Sequence, residues 1–212
     1  MDNNKKHKRK KMLSALTKKD ILNGTISLLT RKGFNELTME GVALEAGVAK
    51  GTLYLYFRNK EELLEKAVDA SFDPLIRELF EALDEDFAPD RKLAKFSLCQ
   101  LRFFDEHIEL IRVLFYDRET MLSEKNHYTD KRYMKIVQKV ASVLNEGVRQ
   151  GLFVSLDSMK IAAMFVEANM GLIMQRIHDG VSGNVEKDAK QITDIFMYGL
   201  KIKNKGEIDE TR

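Results

Sequence analysis

The chain has 212 residues, of which 35 are lysine or arginine and 33 aspartate or glutamate, so its formal net charge is +2. Hydrophobic residues make up 44% of the sequence, which is typical of a globular protein and excludes a mainly disordered chain. Two prolines and no tryptophan favour long helices over many short strands. No stretch approaches the roughly 18 apolar residues that span a membrane, so no membrane partner is predicted.

The charge is unevenly distributed along the chain. Residues 1–66 hold 14 basic and 8 acidic side chains, a net charge of +6, whereas residues 67–212 have a net charge of −4. A basic first third on an acidic remainder indicates that the two parts meet different partners. The single cysteine, Cys99, excludes an intrachain disulfide and a zinc site built on cysteine pairs, and it is typical of a cytoplasmic protein.

The first predicted elements are a basic arm and an amphipathic helix. Residues 5–11 contain six basic side chains in seven positions. Repulsion among these charges predicts a flexible arm over residues 1–16. Thr17 and Asp20 then have the spacing of a capping box, which predicts a helix that begins at Thr17 and is terminated by Gly33.

A helix-turn-helix pattern follows. Thr38 is placed to cap a short helix over residues 39–46, because its hydroxyl can accept a hydrogen bond from an amide of the first turn. Gly47 provides a turn, and a second short helix is predicted over residues 49–57. These segments predict a helix-turn-helix in a domain of residues 17–63, although an ordinary helical hairpin has the same spacing.

Side chains with hydrogen-bond donors crowd around the second short helix. At this density they fit contacts to phosphates, and a solvated polar rim is the alternative. Asn59 and Glu62 form a second capping box, so the next helix starts at Lys60, whose charge beside a helix N-terminus attracts a phosphate. The donors are Lys50, Thr52, Tyr54, Tyr56, Arg58 and Lys60.

The segment from Gly33 to Leu64, GFNELTMEGVALEAGVAKGTLYLYFRNKEELL, resembles the DNA-binding domain of TetR-family transcriptional regulators. The residues that carry the resemblance are Gly33-Phe34, Thr38, Ala46-Gly47-Val48, Gly51-Thr52-Leu53-Tyr54, Tyr56-Phe57 and Lys60. It implies an all-α fold, with an N-terminal three-helix helix-turn-helix domain and a C-terminal helical domain for ligand binding and dimerisation. It also implies DNA contacts from Thr38, Lys50, Gly51, Thr52, Tyr54, Leu55, Tyr56 and Lys60. Among these, Lys50 is the candidate for base reading, because a lysine can donate to O6 and N7 of guanine.

The rest of the chain has a helical pattern. Residues 64–204 are predicted to form the regulatory and dimerisation domain, and residues 205–212 a tail. Pro74 is predicted to kink or restart a helix, Pro89 marks another break, and residues 117–129 are predicted to form a loop or a frayed turn. Apolar spacing predicts helices over 93–104, 108–116, 136 to a stop at Gly151, 157–178 and 185–203.

The last two predicted helices carry apolar residues on more than one face. In TetR-like proteins the equivalent helices pair with a second subunit, whereas an intramolecular hairpin core is the alternative. The resemblance therefore implies a homodimer interface that includes Phe165, Leu172, Arg176, Ile192, Phe196 and Gly199. The aromatic and methionine side chains of the middle helices can line an adaptable cavity or pack as ordinary core. The ligand-binding candidates are Phe103, Phe104, His107, Met134, Phe165 and Asn169.

Enzyme motifs are missing from the sequence. It contains no glycine-rich phosphate loop, no nucleophile elbow and no zinc-binding histidine pair, so no catalysis, metal or cofactor is predicted. The resemblance implies a homodimeric repressor that binds an inverted-repeat DNA operator and is released by a small apolar or aromatic inducer. Two alternatives remain: a DNA-bound adaptor that acts through a protein partner without an inducer, and a protein that coats DNA without sequence preference.

Overall fold

The computed structural model describes residues 2–116, 131–181 and 183–201, and over these ranges the protein is built from α-helices. This confirms the predicted all-α fold. The described helices are α1 (Asp2–Lys32), α2 (Met39–Glu45), α3 (Lys50–Tyr54), α4 (Lys60–Asp84), α5 (Pro89–Glu106), α6 (Ile108–Tyr116), α7 (Lys131–Arg149), α8 (Ser158–Asp179) and α9 (Val185–Leu200).

The chain divides into two compact units. The first comprises Met1–Pro74 and a segment that begins at Glu109, and the second begins at Leu75 and includes α5, α7, α8 and α9. The predicted domain boundary after residue 63 lies inside α4, and the units separate within the same helix at Pro74. The predicted loop over 117–129 and the tail over 205–212 lie outside the described residues.

One apolar core holds the first unit together. Its buried side chains come from α1 to α4 and from α6, and they include Ile21, Leu29, Val42, Leu53, Leu63 and Leu110. Helices α1 and α2 approach each other closely at Gly24, where an added Cβ would lie 3.3 Å from the Cβ of Ala46. A larger side chain at Gly24 would therefore push the two helices apart.

The predicted helix start at Thr17 is wrong, because the segment that was predicted to be a flexible arm is helical from Asp2 onward. Helix α1 begins at Asp2 and continues to Lys32, with residues 5–16 exposed. The Thr17 hydroxyl donates to the Leu13 carbonyl at 3.0 Å, as a residue inside a helix does. Lysine, arginine, leucine and alanine are strong helix formers, and the packed part of α1 nucleates their extension in spite of the charge repulsion.

Apart from the cap at Thr17, the predicted turns and caps of the first unit are confirmed. Gly33 and Gly47 adopt left-handed backbone conformations, with φ of 78° and 65°, and each follows the end of a helix. The Thr38 hydroxyl accepts from the amide of Gly41 at 3.0 Å. At the start of α4, the Asn59 side chain accepts from the amide of Glu62 at 2.9 Å. These are local interactions, so short stretches of sequence determine them.

The second unit packs α5 against α7, α8 and α9. Asp157 and Asn184 cap α8 and α9, accepting from the amides of Lys160 and Lys187 respectively. A single antiparallel bridge joins Phe153 to Lys201. A restarted helix at Pro74, one of two predicted outcomes, is not found, because α4 continues through the proline to Asp84. The other predicted helices agree with α5 to α9, apart from small shifts at their ends.

Candidate DNA-binding surface

The first unit contains a helix-turn-helix made of α2 and α3. The turn is closed by the Val48 amide, which donates to the Ala43 carbonyl at 2.9 Å. Helix α3 is shorter than predicted, because the amides of Leu55 and Tyr56 bond to carbonyls three residues earlier and tighten the chain. Leu53 is fully buried and anchors α3 on the core.

The residues predicted to contact DNA all lie in this unit, around α2, α3 and the start of α4. Thr38, Lys50, Gly51, Tyr54 and Leu55 are exposed. Leu55 is 83% exposed, and an apolar side chain that open has no packing role in the isolated chain. Thr52, Tyr56 and Lys60 are half-buried. The structure therefore places the predicted residues together, and most are accessible to a ligand as large as a DNA duplex.

Lys50, the predicted base reader, has a partner that the sequence did not reveal. Its Nζ donates to Oε1 of Glu40, which lies in the first turn of α2. The hydrogen bond from Lys50 holds the pKa of Glu40 below its ordinary value. The same bond raises the pKa of Lys50, so both side chains are charged near neutral pH. The two residues are ten positions apart, and no spacing rule for a single helix predicts their contact.

Two other predicted phosphate contacts are tied to their surroundings. The Lys60 ammonium donates to the Phe34 carbonyl at 2.8 Å and lies 3.9 Å from the centre of the Phe34 ring. A carbonyl is neutral, so Lys60 keeps its full positive charge. The Tyr56 hydroxyl donates to Ser14 of α1 at 3.0 Å. The Nε atom of Arg58 lies 2.9 Å from Oε2 of Glu62, an ion pair of the kind expected in a solvated polar rim.

The basic part of α1 is adjacent to these residues. Besides the bond from Tyr56 to Ser14, the Lys18 ammonium lies 5.8 Å from the centre of the Phe57 ring. The six basic side chains of residues 5–11 are exposed on the same helix, N-terminal to these contacts. These charges thus belong to the helix that contacts the end of α3 through Ser14.

The predicted ligand-binding residues of the second unit are mostly buried and packed. Phe165 contacts Phe96 and Phe196, with ring centres 5.9 and 5.1 Å away. Buried Asn169 accepts from the Ser97 hydroxyl and donates to the Phe165 carbonyl at 2.9 Å. Phe103 and Phe104 are buried at the C-terminal end of α5, and the Phe103 ring stacks on the His107 ring with their centres 4.2 Å apart. Met134 of α7 is partly exposed.

A small apolar pocket lies elsewhere in the same unit. Its internal volume is about 10 Å³, close to what one water molecule needs and far below a typical ligand pocket. It is lined by Leu144, Val148, Phe153, Val154, Leu156, Ser158, Ile161 and Leu200. None of the predicted ligand-binding residues lines it. Within the described ranges there is no group of three histidine, cysteine or acidic side chains that could hold a metal ion.

Two of the predicted dimer-interface residues are buried inside the protomer. Phe165 belongs to the aromatic cluster described above, and Arg176 is only 4% exposed. The Arg176 guanidinium donates to Asp105 at 2.6 Å and also to Asp188, which joins α8 to α5 and α9. Leu172, Ile192 and Phe196 are half-buried, and Gly199 is exposed.

Apart from Gly199, residues other than the predicted ones form the exposed apolar part of α8 and α9. Met164 is 59% exposed, Ile195 64% and Tyr198 74%. Gly171 and Gly199 lie beside open space, since a Cβ added at either would meet nothing within 4 Å. We call these five residues the α8–α9 apolar face. Sequence periodicity had indicated two apolar faces on these helices but not which of them packs inward.

A helix-turn-helix with exposed donors in one unit, and a second unit made of helices, together define a DNA-binding regulator of two units. Two family models match the chain: the bacterial regulatory proteins of the tetR family over residues 21–67, and the tetracyclin repressor-like C-terminal domain over residues 98–197. The chain belongs to the TetR family of transcriptional regulators. No helix in the described part of the chain is long and apolar enough to cross a membrane.

Individual relatives agree with this assignment. The HTH-type transcriptional regulator YfiR of Bacillus subtilis is 25% identical over 162 residues, which cover 75% of this chain and 79% of that protein. The fatty acid degradation regulator FadR from Bacillus halodurans has the same fold, with a TM-score of 0.75 at 18% identity over 88% of this chain and 97% of that one. The complex of SmeT with triclosan has a TM-score of 0.72 at 15% identity, over 89% and 93% of the two chains.

Proposed function

We propose that this regulator is a homodimeric repressor that binds an inverted-repeat operator and is released from it by a small apolar or aromatic molecule. The observation that carries the proposal is the cluster of donors around α3, of which Lys50, Tyr54 and Arg58 are exposed and lie outside the apolar core of the unit. One short helix reads few base pairs, so a two-fold pair of reading units, about 34–36 Å apart, is needed for a specific site. Bacterial DNA lies in the cytoplasm, and the regulator is proposed to act there.

The α8–α9 apolar face supports the proposed dimer. Contiguous exposed apolar patches are uncommon on a monomer surface. At Gly171 and Gly199 an added Cβ would meet nothing within 4 Å, which leaves room for a second helix to approach closely. Homodimers are also the norm in the family. The proposed occupant of this face is therefore the same face of a second copy, which gives the isologous interface of a two-fold dimer.

The proposed inducer site is the interior between α5 and α8, where Phe165 and Asn169 meet Phe96 and Ser97. SmeT is a fold neighbour that binds triclosan, an aromatic molecule. In this protein the aromatic rings are packed against one another, so a ligand must displace them and shift α5 relative to α8. Such a displacement is a means of coupling ligand binding to a change in the helices that space the two reading units.

The first test is selection of genomic DNA fragments by the purified protein at physiological salt, followed by sequencing. We expect enrichment of an inverted repeat, because specific sites are typically about 10³–10⁷ times tighter than random DNA. Retained binding without enrichment would contradict sequence-specific recognition and would favour a protein that coats DNA.

The second test adds small apolar molecules to the complex of the protein with its enriched fragment. Triclosan and dodecanoic acid are suitable probes, one aromatic and one aliphatic. We expect an effective inducer to weaken operator binding by about 5- to 150-fold, the usual range of allosteric coupling. If no member of a broad panel of apolar molecules changes the affinity, release by an inducer is wrong and the adaptor function is favoured.

A further inference from the structure

The ion pair between Lys50 and Glu40 lies on the surface that is proposed to meet DNA. It joins the first residue of α3 to the first turn of α2, and the two side chains are 54% and 60% exposed. Phosphates repel a carboxylate, so a glutamate on this surface weakens DNA binding unless it also contributes to recognition. Glu40 is paired with Lys50, the candidate for base reading. This pairing indicates that the role of Glu40 concerns the position of Lys50.

We propose that Glu40 is a specificity-determining residue. Its carboxylate positions the Lys50 ammonium to contact the edge of a base, and its negative charge offsets the attraction of that ammonium to phosphates. The inference rests on the proposed function, since it requires α3 to read DNA. It adds to that function a role for a residue of α2 that is not itself a donor.

The chemistry of lysine explains why such a restraint is needed. A lysine has a flexible four-carbon stem and a compact charge, so a free lysine near DNA binds whichever phosphate is closest. Phosphate contacts position a protein but carry no sequence information. Lys50 and Glu40 together carry no net charge, so the pair attracts a phosphate less than a free lysine does. Moving the ammonium away from Glu40 to a phosphate requires breaking the ion pair.

The pair nevertheless leaves Lys50 able to read a base. An ammonium has three donors, so one can stay with Glu40 while the other two reach O6 and N7 of guanine. The raised pKa of Lys50 and the lowered pKa of Glu40 keep both groups charged at neutral pH, so the restraint does not depend on pH there.

Lys60 provides a contrast within the same unit. Its ammonium binds the neutral carbonyl of Phe34, so it retains a full positive charge that a phosphate can neutralise. Two lysines on one candidate surface thus differ in their partners. The difference predicts that Lys50 supplies sequence preference and that Lys60 supplies affinity for any sequence.

The variant that tests the proposal is Glu40→Gln, which removes the charge and keeps the shape. Binding is measured at several salt concentrations to two duplexes of equal length, the fragment enriched by the wild-type protein and a scrambled version. We expect tighter binding to the scrambled duplex, and a log–log salt dependence steeper by about 0.9, the value for one more neutralised phosphate. We also expect the ratio of the two affinities to fall by at least about fivefold, the lower range for one base contact.

Glu45→Gln is the matched control. Glu45 is also an ion-paired glutamate of α2, but it accepts from Arg31 and Ser27 of α1 and not from α3. This variant should leave both the affinity ratio and the salt dependence at wild-type values. Circular dichroism and a thermal melt of each variant establish that the domain remains folded.

A double variant shows whether Glu40 acts through Lys50. In a Lys50→Ala background, Glu40→Gln should no longer lower the affinity ratio. The proposal is overturned if Glu40→Gln leaves the ratio and the salt dependence unchanged in an otherwise selective protein, or if its effect on the ratio is as large without Lys50. A wild-type protein that does not distinguish the two duplexes contradicts the proposed function itself, and the role of Glu40 with it.

Discussion

Among the side chains around α3, the partner of each charged group indicates what that group can do on DNA. Lys50 is neutralised by a carboxylate, whereas Lys60 is held by a backbone carbonyl and a ring face. Ion pairs this exposed contribute little to stability, so we expect the pairing of Lys50 to affect DNA binding more than folding.

Replacement of the two lysines should have different effects. Lys50→Ala is expected to remove the preference at one base pair of the operator, because it deletes the donors that reach a guanine edge. Lys60→Ala is expected to weaken binding to all sequences similarly and to lower the salt slope by about 0.9. Repeating the genomic selection with each variant checks both. Equal, uniform losses from the two changes would mean that Lys50 contacts only a phosphate.

Cys99 is expected to be unreactive in the folded protein. Burial raises the pKa of its thiol to about 12, and the Glu78 carboxylate adds to the shift. The thiolate is the reactive form, so at pH 8 alkylation by iodoacetamide should be slower than for a free cysteine by roughly 10³-fold. Mass spectrometry before and after addition of urea measures this. Rapid modification of the folded protein would show that the thiol is accessible and ionised.

At the scale of elements, α1 is a single helix whose two parts differ in burial and charge. Residues from Ile21 onward bury an apolar face in the core, whereas residues 5–16 are exposed and strongly basic. The contact between Ser14 and Tyr56 ties the basic part to the recognition region. We therefore expect the basic part to act on DNA as a rigid extension.

Deletion of residues 1–11 should weaken binding to all sequences about equally. Each phosphate contact that is lost is expected to lower the log–log salt slope by about 0.9. The change should also be obtained when Lys5, Lys6, Lys8 and Arg9 are replaced by glutamine, which removes charge but preserves helix propensity. Salt titrations of operator binding measure both. A changed base preference, with the salt slope intact, would mean that this segment reads bases.

The ion pairs of Arg176 hold three helices of the second unit together. Arg176 is almost fully buried, so removal of one carboxylate leaves much of its charge uncompensated. Asp188→Ala is therefore expected to lower the free energy of unfolding by about 3 kcal/mol. Asp194→Ala, which breaks an exposed pair with Lys190 on the same helix, should change it by less than about 1 kcal/mol. Urea denaturation measures the free energy of unfolding of both variants. Equal losses from Asp188→Ala and Asp194→Ala would show that burial of the ion pair is unimportant.

At the scale of the whole molecule, the α8–α9 apolar face predicts the oligomeric state. Ile195→Asp places a charge in the proposed interface and should reduce the mass in solution from twice to once the 24.4 kDa of a single chain. Operator affinity should fall with it, because one reading unit spans too few base pairs. Leu44→Asp, the same change at an exposed leucine of α2, is the control for oligomeric state. Light scattering after size exclusion gives the masses, and an unchanged dimer would place the interface elsewhere.

Sequence reasoning succeeded where the interactions are local. The cap at Thr38, the turn at Gly47 and the cap at Asn59 each join residues only a few positions apart, so a short stretch of sequence contains both partners. The family motif covers the same stretch, which is why the helix-turn-helix and the residues exposed around α3 could be predicted. The predicted helix start at Thr17 was wrong, because the strong helix formers that precede it extend the packed part of α1 in spite of their charge repulsion.

The sequence by itself determined the all-α fold, the helix-turn-helix and the family, because helical periodicity and capping depend on neighbours within one or two turns. Only the tertiary structure decided which side chains pair across helices. Lys50 meets Glu40, and Arg176 meets Asp105 and Asp188, over separations that no periodicity predicts. Periodicity likewise gives the faces of a helix but not which face is covered, so Phe165 and Arg176 are inside while Ile195 and Tyr198 are exposed.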